Sequence, residues 1–157
     1  MRTMGGVAMM MILAGCGGES APETPQETAA PVEAPVATEQ AVSANGGTRH
    51  EVQMVLEGTN YMFKPAELTI HPGDQVVFRG VSGSFHNVQF WADSVAADAK
   101  AALDAVIPNR MGELATNLIN EGDSLVFNFT GVPAGRYPFT CLPHMAMGMH
   151  GVLTIAQ

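Results

Sequence analysis

From residue 49 onward, apolar and polar positions alternate in short runs, and clusters of turn-forming residues divide the runs. Runs 50–56, 68–70, 75–78, 87–90, 124–129, 137–141 and 152–155 are apolar or alternate with a period of two. A period of two puts every second side chain on one face, as in a strand with one buried side. Between the runs lie Pro72-Gly73-Asp74, the Gly/Ser-rich stretch 80–84, Glu121-Gly122-Asp123 and Pro133-Ala134-Gly135. The pattern predicts an all-β domain, an antiparallel sandwich or barrel of about seven or eight strands. One stretch departs from it. Val95, Ala99, Ala102 and Val106 recur at helical spacing within 94–106, and Pro108 stops the run. It predicts one short helix in a crossover between strands. No internal repeat is visible.

Before residue 49 the patterning changes twice. Residues 1–15 carry Arg2, then an apolar stretch ending Leu13-Ala14-Gly15 just before Cys16. A basic start, a short apolar core and small residues describe an export signal. The apolar run is too short to span a membrane. Its ending resembles a bacterial lipoprotein lipobox, which implies cleavage before Cys16 and lipid on the Cys16 sulfur. Residues 17–48 are rich in Ala, Pro, Glu and Thr and contain no aromatic residue, Lys or Arg. Such a segment cannot bury enough apolar surface to offset its ordering entropy. The expected layout is therefore a signal over 1–15, a lipidated cysteine with a disordered tether over 16–48, and one folded domain over 49–157.

Composition removes several classes of function. With 46% hydrophobic and 14% charged residues, the chain is not wholly disordered. A net charge of −8 argues against a nucleic-acid partner, since phosphate binding draws on surplus Lys and Arg. Two cysteines exclude a disulfide framework and a four-cysteine zinc site. The 11 methionines are the unusual count. Five leave with the signal, and Met54, Met62 and Met111 are expected to pack in the domain.

The remaining methionines fall in one cluster, Cys141-Leu142-Pro143-His144-Met145-Ala146-Met147-Gly148-Met149-His150. Thiolate and thioether favour Cu(I), and imidazole accepts either copper oxidation state. Zinc prefers four strong tetrahedral ligands, and calcium and magnesium want oxygen donors. The donor set points to copper. Neighbours on one tight loop cannot enclose an ion, so a second imidazole must come from elsewhere. His86 is the best placed, after the Gly/Ser-rich bend and directly before a predicted strand. Two imidazoles and a thiolate with a distant axial thioether make a blue-copper site.

These residues resemble the plastocyanin and pseudoazurin group of cupredoxins. Cys141, His144 and Met149 match its Cys-x-x-His-x-x-x-x-Met spacing, and His86-Asn87 matches its upstream His-Asn pair. Tyr137-x-Phe139-x-Cys141, Phe63-x-Pro65-x-x-Leu68 and Pro72-Gly73-Asp74-x-Val76-x-Phe78 are similar to its strands. The resemblance covers about residues 50–156. It implies a Greek-key β-sandwich holding one type 1 copper ion between His86, Cys141, His144 and an axial Met149. It also implies that Asn87 hydrogen-bonds near the thiolate loop and ties the two ligand segments together. Three features depart from the group: Met145, Met147 and His150. Met147 follows His144 by three residues, a spacing similar to the axial methionine of amicyanin, so Met147 stands as the alternative to Met149. No ligand role is expected for His50, His71 or His150.

The function implied is one-electron transfer at the cell envelope of a bacterium, without a bond change. His144 is the expected exit for the electron, and Pro143, Met145, Ala146 and Met147 form an apolar patch for brief docking. Expected partners are redox proteins, for example a c-type cytochrome, a membrane oxidoreductase or a terminal oxidase, together with a membrane through the lipid; the domain itself is expected to be a monomer. A competing reading is a Cu(I) chaperone that uses the methionine-rich loop. Multicopper oxidases and nitrite reductases need several such domains and further histidine clusters, which five histidines cannot supply.

Overall fold

A computed structural model describes residues 46–157. The expected signal over 1–15, Cys16 and nearly all of the tether lie outside the described residues. Among these described residues, ten strands form two sheets. The first holds β1 (Arg49–Glu57), β2 (Asn60–Lys64), β4 (Gln75–Gly80) and β8 (Ser124–Asn128) in the order β2-β1-β4-β8. The second holds β3 (Glu67–Ile70), β5 (Gln89–Phe90), β6 (Arg110–Gly112), β7 (Ala115–Thr116), β9 (Gly135–Thr140) and β10 (His150–Ile155), in the order β3-β10-β9-β5-β7-β6. The architecture is the Greek-key β-sandwich that the pattern and the resemblance led to.

Alternating burial along the strands builds the core. Val52, Met54, Phe63, Phe78, Leu125 and Phe127 face inward from one sheet, and Ile70, Phe90, Phe139, Leu153 and Ile155 from the other. Phe139 is the hub, with ring centroids 4.8 Å from Phe63, 5.4 Å from Phe78 and 5.9 Å from Phe90, all steeply tilted. Edge-to-face pairs of this kind add about 0.5–1.5 kcal/mol each beyond area burial. Tyr137 closes a corner by donating its hydroxyl to the Pro133 carbonyl at 2.6 Å.

Four details differ from the expectation. Strand pairing is mixed, because β1 runs parallel to β4 and β3 parallel to β10. After the β1–β2 hairpin the chain crosses to the second sheet as β3, so it returns beside β1 in the same direction. Strands β2, β6 and β7 add to the expected set: β2 buries only Phe63, and β6 and β7 have three and two residues. The helix α1 spans Ala97–Ala105, after a 3-10 turn at Ala92–Ser94. Its buried stripe continues from Val95 through Ala99 to Leu103, with Ala102 and Val106 only partly buried. Met111 is 68% exposed and does not pack as expected, whereas Met54 is buried.

Candidate metal centre

Cys141 directly follows β9, whose pairing with β10 sets His150 opposite Thr140. Between these strands a 3-10 helix, Leu142–Met147, carries His144 and ends at Gly148, whose φ of 81° turns the chain back toward β10. That left-handed conformation is open to glycine at little cost. The loop is closed by its own backbone: the Cys141 N–H donates to the Met149 carbonyl at 3.2 Å, and the Met149 N–H to the His144 carbonyl at 3.3 Å. The other ligand segment is anchored separately. His86 exchanges backbone hydrogen bonds with Ile119 at 2.9 and 2.8 Å.

These two segments bring three donors together. Cys141 Sγ lies 3.3 Å from His144 Nδ1 and 3.7 Å from His86 Nδ1, and all three donor atoms lie within 4.8 Å of one another. His86 and Cys141 are fully buried and His144 is 6% exposed. His86 Nε2 meets the Ser82 carbonyl at 2.8 Å. A carbonyl only accepts, so Nε2 carries the proton and the Nδ1 lone pair faces the sulfur.

Electrostatics favours a soft cation here. Burial pushes the Cys141 thiol up, although backbone N–H groups of Asn87 and His144 partly oppose the shift. Burial, and then the neighbouring His86, push His144 down, which keeps its imidazole neutral with a free lone pair. A buried thiol between two imidazoles gives up its proton readily only to a metal that binds thiolate. Among the described residues this is the one cluster of three or more His, Cys, Asp or Glu donors so placed.

The other expected residues are placed as follows. Asn87 is buried; its side-chain carbonyl accepts the Leu142 N–H at 2.8 Å and its amide reaches the Thr116 carbonyl at 3.5 Å. Met149 is fully buried, whereas Met145 and Met147 are 47% and 49% exposed. Pro143 and Ala146 are exposed on the same short helix. His50 pairs with Asp74, His71 is exposed, and His150 bonds to Thr140 outside the donor cluster. Sequence reasoning missed Tyr61, whose ring stacks on His144 with centroids 3.7 Å apart and planes 13° apart. Recognition of β2 would have exposed it, because Tyr61 shares a face with Phe63 one step nearer the metal centre.

A cupredoxin sandwich that focuses two imidazoles and one thiol on a single point defines a copper protein. Residues 50–156 match the plastocyanin/azurin family of copper-binding proteins, and the chain belongs to that family. Plastocyanin from Ginkgo biloba is 33% identical over 106 residues, which cover 67% of this chain and 98% of the relative. The chloroplastic plastocyanin minor isoform of Arabidopsis thaliana is 30% identical over 114 residues, covering 73% of this chain; the chain spans 62% of that relative's length. Among solved structures, the oxidised plastocyanin of Dryopteris crassirhizoma superposes with a TM-score of 0.54 at 28% identity, covering 68% of this chain and 99% of that one. His86, Cys141 and His144 form a type 1 copper site.

Proposed function

We propose that this protein is a one-electron carrier in which Met149 supplies the axial thioether to copper held by His86, Cys141 and His144. The observation that carries the reading is the convergence of three buried donors, from two segments anchored independently, within 4.8 Å. Copper supplies the one-electron Cu(II)/Cu(I) couple. The chain's task is to hold a geometry tolerable to both states, so that little reorganisation accompanies transfer. Backbone bonds at 3.2 and 3.3 Å that clamp Met149 to Cys141 and His144 serve that task, as does the Asn87 link between the segments. Burial of Met149 and exposure of Met147 favour Met149 as the axial donor.

His144 is the electron's exit, and the exposed Leu142, Pro143, Met145, Ala146 and Met147 around it form the apolar surface for a redox partner. Redox encounters use small, easily released interfaces. Suitable partners are a c-type cytochrome, a membrane oxidoreductase or a terminal oxidase. Cys16 carries lipid, so the domain works outside a bacterial cytoplasmic membrane. No helix among the described residues is long and apolar enough to cross a membrane. A second reading, Cu(I) carriage, draws on the exposed thioethers of Met145 and Met147.

One experiment separates the two. The chain is loaded with Cu(II) and its visible spectrum recorded before and after reductant. An intense band that bleaches and returns supports electron transfer, and a colourless protein that binds only Cu(I) supports carriage. Removing Met149 and Met147 one at a time tests the axial assignment: a normal spectrum and potential without Met149 would overturn it.

A further inference from the structure

His150 has no place in the donor cluster, yet its exposed ring is held in one orientation. Its Nδ1 lies 3.1 Å from Thr140 Oγ1, while that hydroxyl donates to the Met149 carbonyl at 2.9 Å. With the Thr140 proton committed, the hydroxyl accepts from His150. Nδ1 therefore carries the imidazole proton, and Nε2 keeps its lone pair. A ring N–H tied to a fixed acceptor is the usual way a protein orients an imidazole toward a metal. The ring of Trp91 stands at right angles to His150, with centroids 5.7 Å apart and planes at 85°. From Trp91 a surface groove of about 250 Å3 continues past Thr140 to Leu142 and Met145. Thr140 thus borders the imidazole through its hydroxyl and also lines the groove that Met145 reaches. Met145 follows Leu142 by three residues on the 3-10 helix, so the two share one edge of it. Met145 is 47% exposed and Trp91 44%.

We propose that His150 Nε2 and the Met145 thioether, with the Trp91 indole beside them, form a second, surface site for Cu(I). It shares no donor with the buried cluster of His86, Cys141 and His144. It also does not rest on the electron-transfer reading, since it needs no change of oxidation state. The donor chemistry selects the ion. A thioether and an imidazole suit Cu(I), whereas zinc draws on thiolate, imidazole and carboxylate, and calcium and magnesium on oxygen. The electron-rich face of an indole attracts a cation held near it. Neither donor has to lose a proton, so the bound ion keeps its full charge. Asp93, which lines the same groove, supplies negative charge nearby without being needed as a ligand.

The test uses the full chain with Cys16→Ser, kept free of oxygen and titrated with Cu(I) from a chromophoric chelator. The first equivalent fills the buried centre, whose thiolate binds the more tightly. Further Cu(I) should quench the emission of Trp91, the sole tryptophan. Met145→Leu and His150→Leu should each retain one equivalent fewer than the parent chain and lose that quenching. Met111→Leu, which removes a thioether 68% exposed on β6, should change neither. Each variant should still give the intense visible band on oxidation, which reports a folded domain. The site is overturned by Trp91 emission that ignores the further Cu(I), by variants that keep the parent count, or by an equal loss in Met111→Leu. Zn(II) offered to the Cu(I)-filled chain should not be retained through His150. Zinc retention that His150→Leu abolishes would mean a carboxylate and imidazole site and would overturn the assignment to Cu(I). A parent chain that stays colourless on oxidation would remove the electron-transfer reading and leave the Cu(I) count and the Trp91 quenching to decide this site.

Discussion

The apolar sandwich contains two regions of buried polar groups, and they are built on opposite principles. Asp74 is satisfied on every side: it accepts the Thr48 N–H at 2.8 Å, the His71 N–H at 2.9 Å and His50 Nε2 at 2.9 Å. Burial alone would raise its carboxyl, but the His71, His50 and Thr48 hydrogen bonds outweigh that and hold it below the usual carboxylate range. At the metal centre, burial drives Cys141 and His144 toward their neutral forms, and three donor atoms converge on one point. A finished network fixes a fold. A convergent, charge-averse set of donors is completed only by a cation.

The strongest way to break this contrast is Cys141→Ser. It should abolish the intense visible band on Cu(II) addition while leaving the copper-free domain's thermal unfolding nearly unchanged, because the thiol holds no obligatory structural bond. Loading the native chain should do the reverse, raising stability by about 2.7 kcal/mol at a free metal concentration 100 times Kd. The next largest effect belongs to the other region. Asp74→Ala leaves two backbone donors and one imidazole without an acceptor, and should cost about 3 kcal/mol in urea unfolding with the copper spectrum intact.

The same carboxylate sets a pH dependence. Its folded pKa lies below its unfolded value, so the unfolded chain takes up the proton first as pH falls. Its contribution is whole above the ordinary carboxylate pKa and is lost as pH falls through the folded value. Acid unfolding curves should therefore lose part of their slope in Asp74→Asn, with no change near neutrality in that slope.

The two regions were unequally legible in the sequence. Cys141 and His144 announce themselves because a strand end and a tight turn keep ligands three residues apart. His86 and Asn87 could be found because they stand together as a His-Asn pair after the Gly/Ser-rich bend and just ahead of an apolar run, although that run becomes a strand only at Gln89. The Asp74 network was not legible: two of its partners, Thr48 and His50, lie 26 and 24 residues away, and only the parallel β1–β4 ladder brings them near. A period of two reports which face a residue takes but not which strand lies beside it. Tyr61 was lost for the same reason, since its position over His144 depends on the β1–β2 register. Met111 shows the opposite error, where hydrophobicity alone stood in for burial.

Smaller perturbations sharpen the contrast within the metal centre itself, whose two imidazoles are not held alike. His86 is fixed by backbone on both sides, through Ile119 and Ser82. His144 rides on the 3-10 helix and depends on the Asn87 acceptor at Leu142 and on the Tyr61 ring. Asn87→Leu leaves the Leu142 N–H unpaired and should cost about 1–3 kcal/mol. Its spectral change should track His144 more than His86. Tyr61→Leu should cost less, about 0.5–1.5 kcal/mol, the value of one aromatic pair. Nuclear magnetic resonance of the Cu(I) protein can read its effect ring by ring. The His144 ring signals should broaden or shift as the stack is lost, while those of His86, at 6.3 Å from Tyr61 and tilted by 60°, stay in place. Equal movement of both rings would mean that Tyr61 supports the whole loop end, and the two imidazoles would then be held alike after all.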